Sequence, residues 1–287
     1  MSDYKIITDS GCDLPKQMLS QLCVQTVPLI VNFRGECLED SVDEGIKEMY
    51  AGLRAGEAAS TSAVNPDRWM SLIEQTLSAG QDALVITFSS GLSTTYQSAV
   101  IAANELKEKY PDRKIFVVDG LSASLGQGLL IWYACKKKDE GLSVEELAAW
   151  VEENKLHLCH WFTVDDLMYL KRGGRISAAT AVVGTMLKIK PVLHMDDEGH
   201  LIKVSVARGR RGSLDALCAR MKGSMLDHPD QTVFIGHGDC LEDAQYLASK
   251  IKSEIGVEVR LIDYVGPVIG AHSGPGTVAL FFLGKER

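Results

Sequence analysis

One histidine, His272, stands near the C-terminus among residues with small side chains or none. Glycines occupy positions 270, 274 and 276, and Pro275 lies between two of them. Because glycine has no Cβ, this backbone can adopt positive φ angles and approach a bound molecule closely. We therefore expect a tight turn before a final strand, with the imidazole either held against a cavity or exposed to solvent.

The densest group of hydroxyls lies in the segment 89–95, which reads Ser-Ser-Gly-Leu-Ser-Thr-Thr. It follows an apolar run typical of a buried strand and precedes a helical pattern. Free backbone amides at a helix start attract anions, and hydroxyls beside them add neutral donors. A carboxylate or a phosphate fits this chemistry, while simple N-capping of the helix by Ser93 is the alternative.

Two further segments carry hydrogen-bond donors. Thr61 and Ser62 lie just before a helix start at Asn65, where a capped loop is the simpler interpretation. The segment 171–175, Lys-Arg-Gly-Gly-Arg, ends on Arg175, whose guanidinium offers forked donors to a carboxylate or phosphate. A solvated basic turn explains this second segment equally well.

Familiar catalytic motifs are missing from the sequence. It has no G-x-S-x-G elbow, no Walker A motif and no G-x-G-x-x-G fingerprint. A triad of Ser93, His272 and Asp9 can be written down, but sequence alone does not show that these side chains meet. Hydroxyls and a histidine without an activated nucleophile favour a carboxylate-binding site with no catalytic residues. A serine-dependent acyl hydrolase or transferase, using Ser93 or Ser90, is the alternative function.

Composition narrows the class of protein. A chain of 287 residues is long enough for two domains, and its net charge of -8 argues against a nucleic-acid binder with a broad basic face. The longest apolar run, 129–135, is far shorter than the ~20 residues of a membrane-spanning helix. No secretory leader is visible and the seven cysteines are scattered, so we expect a cytoplasmic protein with reduced thiols and no metal site.

Strand and helix patterns alternate through the first half of the chain. They predict strands at 5–8, 24–31, 83–87 and 114–118, and helices at 43–53, 65–79, 94–109 and 121–139. Such alternation indicates a three-layer α/β/α domain with a mostly parallel sheet, whose ligands bind beyond the carboxyl ends of the strands.

The second half predicts another α/β domain with a mixed sheet. A polar turn at 196–199 indicates a hairpin, and the other patterns give strands at 157–164, 190–194, 201–206, 232–236, 258–263 and 277–283, with helices at 212–226 and 241–255. We place the boundary between residues 156 and 157 and expect a ligand cleft between domains 1–156 and 157–287. A basic cluster at 208–211 is interpreted as a solvated helix start; docking of an acidic partner or transient contact with a membrane surface is the alternative.

These segments together resemble the DegV family of bacterial fatty-acid-binding proteins over residues 4–284. The matching segments, in order, are 7–10 with 13–15, the pair 61–62, 89–93 with 95–99, 170–176, 189–191 and 270–276. Each is short, but the order and spacing of all six are specific.

The resemblance implies a two-domain, non-catalytic carrier that holds one long-chain fatty acid, such as palmitate, between its domains. It implies that the carboxylate is bound by Thr61 or Ser62, by Ser93 and by His272, with Arg175 in support. Some members of the family present the acid to a separate ATP-dependent fatty acid kinase, so this chain would need no cofactor and no nucleotide site of its own. A monomer is expected.

Overall fold

The computed structural model describes residues 3–43, 45–177, 189–227 and 231–287. The first of its β-sheets is entirely parallel and is formed by the N-terminal part of the chain. Its strand order is β2-β1-β6-β7, where the strands are β1 (Tyr4–Asp9), β2 (Gln25–Val27), β6 (Asp82–Thr87) and β7 (Ile115–Asp119).

Helices cover both faces of this parallel sheet, because its strands are apolar on both sides. On β6, Ala83 and Val85 share a core with α3 (Pro66–Ser78) and α4 (Thr95–Lys109). Leu84 and Ile86 point the other way and share a core with α5 (Leu125–Asp139) and α6 (Val144–Asn154). The predicted three-layer α/β/α arrangement is therefore confirmed.

The second sheet is mixed and uses residues of the C-terminal part. Neighbouring strands are antiparallel except for one parallel pair, β11 with β12. The order is β10-β9-β8-β13-β11-β12, with β8 (Leu158–Thr163), β9 (Ile189–Met195), β10 (Leu201–Arg208), β11 (Val233–His237), β12 (Val259–Tyr264) and β13 (Val278–Leu283). The predicted mixed sheet and the hairpin between β9 and β10 are both confirmed.

Helices also lie on the two faces of the mixed sheet. Helices α8 (Gly209–Ser224) and α9 (Leu241–Ile255) pack on its outer face. Helix α5 packs on its inner face against β8, β11 and β13. Every residue from Leu125 to Cys135 is buried, as expected for a helix enclosed between two sheets.

A small antiparallel sheet, absent from the sequence prediction, lies beside the parallel one. It has the order β4-β3-β5 and consists of β3 (Ile30–Phe33), β4 (Glu36–Glu39) and β5 (Ala59–Ser62). The strand predicted over 24–31, with an interruption at Pro28, forms two strands, because the chain leaves the parallel sheet after Val27 and begins β3 at Ile30. Pro28 has no N–H to donate, so the ladder cannot continue through it.

The segment around His272 also differs from the sequence prediction. Instead of a tight turn it forms a short helix, α10 (Pro267–Ser273), which follows β12. Pro267 fixes the first helical φ angle, and Gly274, at φ 79°, ends the helix. Gly270 is needed for space, since a Cβ there would overlap the hydroxyl of Tyr50.

The remaining helices are short: α1 (Lys16–Gln21), α2 (Ile46–Arg54) and α7 (Met168–Arg172). The helix predicted over 43–53 includes residue 44, which lies outside the described residues, and α2 begins at Ile46. All seven cysteines are free. Across the described ranges no helix combines the length and apolarity needed to cross a membrane.

Candidate functional site

A cavity of about 490 Å³ lies between the carboxyl end of the parallel sheet and the inner face of the mixed sheet. This volume is within the usual range of small-molecule sites. Its wall is mostly apolar and includes Leu29, Phe88, Leu92, Phe162, Leu170, Met195, Val268, Ile269 and Phe281. The structure places Thr61, Ser62, Ser93, Arg175 and His272 on the wall of this same cavity.

Helix α10 brings His272 to the cavity together with Ile269, which is three residues before it and therefore lies on the same helix face. The Nε2 atom of His272 lies 2.7 Å from the hydroxyl of Thr61 on β5. Strand alternation leaves Thr61 half-buried and turns Ser62 outward, so that Ser62 reaches the wall from an exposed position. Of the hydroxyls of Thr61 and Ser62, it is that of Thr61 that contacts the imidazole.

The imidazole of His272 is closely packed on its other side by Gly173. A Cβ on Gly173 would overlap Nδ1 of the ring. Burial, and then the positive charge of Arg175, lower the pKa of His272 to about 4. At neutral pH the ring is therefore uncharged, with one nitrogen donating and the other accepting.

Arg175 contributes charge to the cavity but uses much of its hydrogen-bonding capacity on the backbone. Its Nε and Nη2 atoms donate to the carbonyl of Leu92 at 3.2 and 3.0 Å, and Nη1 donates to the carbonyl of Gly173. A guanidinium has five N–H groups, so two of them have no partner among the described residues. Arg175 also fixes the serine-rich loop in place, because Leu92 precedes Ser93.

Ser93 lies two residues before α4, and the predicted N-cap at Ser93 is wrong, because Thr94 is the residue at the N-cap. Its hydroxyl accepts a hydrogen bond from the amide of Thr95 at 3.2 Å and lies 2.8 Å from the Thr95 hydroxyl. It also lies on the cavity wall. Nearby, the Ser89 hydroxyl donates to the carbonyl of Gly199, at 2.9 Å, and ties this loop to the β9–β10 hairpin.

The triad of Ser93, His272 and Asp9 is not assembled among the described residues. In that part of the chain, no hydrogen bond joins His272 to Ser93 or to Asp9, and His272 is bonded to Thr61. The Asp9 carboxylate instead accepts the amides of Phe88 and Gly11, at 2.7 and 3.1 Å, and burial raises its pKa to about 7. Asp9 therefore organises the loops around β1 and β6.

Sequence reasoning missed polar residues deeper in the cavity. His160 lines it from β8, where its Nδ1 donates to the carbonyl of Leu158 and its Nε2 accepts from Ser122 at 2.6 Å. Adjacent residues of a strand point to opposite faces of the sheet, so Cys159 and His160 cannot both face the cavity. This alternation is the one sequence signal that could have marked His160 as a cavity residue. Ser124, which follows β7 at the carboxyl end of the parallel sheet, and Ser273, beside His272, also line the cavity.

The basic cluster at 208–211 lies at the start of α8, away from the cavity wall. Arg210 pairs with Asp243 at 2.8 Å, and the guanidinium of Arg211 lies 3.8 Å from the centre of the Tyr246 ring. These contacts agree with the interpretation as a helix start. In the part of the chain that the structure covers, no group of three His, Cys, Asp or Glu side chains is arranged to hold a metal ion.

Comparison with known proteins gives a consistent family assignment. A family model described as "Uncharacterised protein, DegV family" matches residues 3–285. A DegV domain-containing protein of Clostridium perfringens is 46% identical over 100% of this chain and 99% of its own length. A DegV family protein of Thermus thermophilus, described by its fatty acid binding, has a TM-score of 0.86 at 31% identity and covers 99% of this chain and 100% of its own.

A second solved structure supports the same assignment. DegV of Bacillus subtilis, described as a fatty acid binding protein, has a TM-score of 0.83 at 28% identity, and the match covers 99% of this chain and 100% of that one. The match of the family model and the relatives over nearly the whole chain shows that this protein belongs to the DegV family.

Proposed function

We propose that this protein binds one long-chain fatty acid in the cavity, with the carboxylate bound by Thr61, Ser93 and Arg175, with His272 orienting Thr61, and with the hydrocarbon chain along the apolar wall. One observation carries the proposal: side chains from β5, α10, the start of α4 and the segment after α7 converge on one apolar cavity. Fatty acid binding by the Thermus and Bacillus relatives supports it.

The hydrogen-bond geometry defines how the head group is held. With the proton of the neutral ring on Nε2, His272 donates to the Thr61 oxygen and leaves the Thr61 hydroxyl free to donate to the carboxylate. Two N–H groups of Arg175 add charge-assisted donors. In this arrangement His272 orients the Thr61 hydroxyl, and Thr61 contacts the carboxylate. The sequence had led us to expect a direct contact between His272 and the carboxylate.

The energetics favour a chain of many carbons. Each buried methylene contributes about 0.8 kcal/mol, whereas a buried carboxylate without partners is costly. The apolar wall buries the methylenes, and the cluster of donors supplies partners for the carboxylate. Ser62 is exposed on β5 and also lines the cavity, so we propose that it makes an additional contact with the head group.

Further parts of the proposal come from the family resemblance. We place the boundary between domains at residues 156 and 157, with the cavity between them. The protein acts in the cytoplasm as a non-catalytic carrier that presents palmitate or a similar acid to a separate fatty acid kinase. It needs no cofactor, since the kinase supplies the nucleotide, and transient contact with a membrane surface through the basic cluster 208–211 stays the alternative.

The experiment is mass spectrometry of the purified protein, first under native conditions and then after denaturation. We expect a mass increment equal to one fatty acid that is lost on unfolding, and recovery of binding when the stripped protein is given palmitic acid. An increment that survives denaturation would instead identify an acyl-enzyme and support the hydrolase. A stripped protein that does not bind palmitic acid in a titration would contradict the proposed function.

A further inference from the structure

Two buried carboxylates, Asp13 and Asp40, lie where the N-terminal part of the chain meets the start of α10. Asp13 is 1% exposed and Asp40 is 6% exposed. The Asp40 carboxylate accepts the amide of Val268 at 3.0 Å. Oδ1 of Asp13 lies directly against Gly266, because a Cβ at that glycine would overlap it. Both carboxylates therefore contact the short segment that leads into α10.

The bonding partners of the two carboxylates are neutral. Asp40 accepts the hydroxyl of Ser10 at 2.7 Å, and Asp13 accepts the hydroxyl of Ser124. In the part of the chain that the structure describes, neither carboxylate forms an ion pair with a lysine, arginine or histidine. Two desolvated charges of the same sign without a cation are costly, so such a pair keeps a proton.

The surroundings of the pair reinforce this conclusion. The titratable groups whose charges act on the pair can carry no positive charge; they are Asp9, Cys12, Tyr50 and Asp263. Burial, and then repulsion by Asp40, raise the pKa of Asp13 well above its ordinary value. Burial raises the pKa of Asp40 to about 6. At neutral pH the pair therefore holds one proton and one negative charge.

Short paths of hydrogen bonds connect the pair to the wall of the cavity. Ser124 and Val268, which bond to the carboxylates directly, both line the cavity. The oxygen of Ser10 accepts the amide of Leu29, a third residue of the wall, at 3.0 Å. Helix α10, which begins at these contacts, also carries His272. The charge on the pair thus acts on the backbone that places the head-group residues.

We propose that Asp13 and Asp40 hold one proton between them, and that Asp13, in its protonated form, is a positioning residue that keeps α10 in place for fatty acid binding. The inference rests on the proposed function, because binding is what the position of α10 controls. It adds a dependence on pH. As the pH rises above neutral the proton leaves, two like charges face each other at the start of α10, and affinity falls.

The test measures the Kd for palmitic acid between pH 7 and pH 9 in stripped wild type, Asp13→Asn and Asp13→Ala. Asparagine imitates the protonated carboxyl and tolerates the left-handed φ of 53° at this position. The Kd of wild type should rise roughly five-fold or more, within the limit of about ten-fold per pH unit for one proton. Asp13→Asn should restore the binding that Asp13→Ala loses at pH 7, and its Kd should stay constant as the pH rises.

Asp82→Asn supplies the matched control. Asp82 is also 6% exposed, but it lies at the amino end of β6, and Arg113 lies 3.8 Å from its carboxylate. This variant should keep the pH profile of wild type. Infrared spectra at pH 7 give a second readout, since wild type should show the carbonyl stretch of one more protonated carboxyl than Asp13→Asn.

The outcomes separate the two proposals. A wild-type protein that binds no palmitic acid at any pH refutes the proposed function. Equal pH profiles in wild type and Asp13→Asn overturn the inference alone. So do infrared spectra without the expected difference, or an Asp13→Asn protein that is folded by circular dichroism but does not bind. If Asp13→Asn does not fold, Asp40→Asn replaces it, because it also leaves at most one charge, and a wild-type pH profile in that variant overturns the inference.

Discussion

Substitution of Gly173 by alanine should weaken fatty acid binding without unfolding the protein. The new Cβ would overlap Nδ1 of His272, so the ring must rotate away and lose its 2.7 Å bond to Thr61. The backbone itself tolerates the change, because Gly173 has an ordinary helical φ of -72°. The perturbation therefore acts on the position of one side chain.

The expected loss follows from the hydrogen bonds that depend on that position. If Thr61 loses the donor that orients it, the carboxylate loses one charge-assisted hydrogen bond, which contributes about 1.5–3 kcal/mol. This corresponds to an increase of roughly 10- to 150-fold in the Kd for palmitic acid. The stability of the fold should change by less than about 1 kcal/mol, the usual difference in helix propensity between glycine and alanine.

Gly223 supplies the matched control. It lies in the last turn of α8, whereas Gly173 follows the end of α7, and a Cβ placed at Gly223 meets no atom within 4 Å. Isothermal titration of stripped wild type, Gly173→Ala and Gly223→Ala with palmitic acid gives the comparison, and thermal unfolding monitors the fold. Equal affinities for the two variants would show that the placement of His272 does not control binding, and the reasoning would fail.

Three further predictions follow from the same contacts. Thr61→Val should weaken binding of palmitic acid at least ten-fold, while Ser62→Ala should change it less than about three-fold; the reverse order in titrations would assign the head group to Ser62. The pKa of His272 is about 4 in the folded protein, below its ordinary value of 6.5. Between pH 6.5 and 4 the unfolded chain therefore binds a proton at this residue and the folded protein does not. The free energy of unfolding should fall as the pH is lowered through this range. Urea unfolding at pH 7.5 and 5 should therefore show a smaller acid-induced loss of stability for His272→Asn than for wild type, and equal losses would contradict the lowered pKa. Asp40 accepts the amide of Val268 at the start of α10, so Asp40→Ala should lower the free energy of unfolding by about 1 kcal/mol, and unchanged urea unfolding would show that this cap is not needed.

Sequence periodicity accounts for much of the fold. Strands such as β6 are apolar on both faces and alternate with amphipathic helices, which leaves a parallel sheet covered on both sides as the natural arrangement. The boundaries of α9, 241–255, agree with the prediction at both ends. Elements without such a pattern were missed: β4 is exposed along its whole length, and α10 has glycine at its centre and only seven residues.

The candidate site, like the fold, could be predicted only in part from the sequence. Local chemistry makes Ser93, Arg175 and His272 candidates, because hydroxyls near a helix start, a forked cation and an imidazole are recognisable side-chain types, and the family resemblance adds their proposed role. Local chemistry does not decide between Thr61 and Ser62, because both carry a hydroxyl and differ only in the face of the strand to which the side chain points. That direction depends on the pairing of β5 with β3, which the sequence did not predict.

The sequence by itself determined the alternation of elements, the two kinds of sheet and the residue types available to bind an anion, since these depend on local patterns of polarity. Only the tertiary structure decided which of those residues meet. Thr61 and His272 are separated by 211 positions and come together because β5 and α10 are packed against each other. The lowered pKa of His272 has the same origin, because it depends on what surrounds the side chain after folding, and no local pattern specifies that.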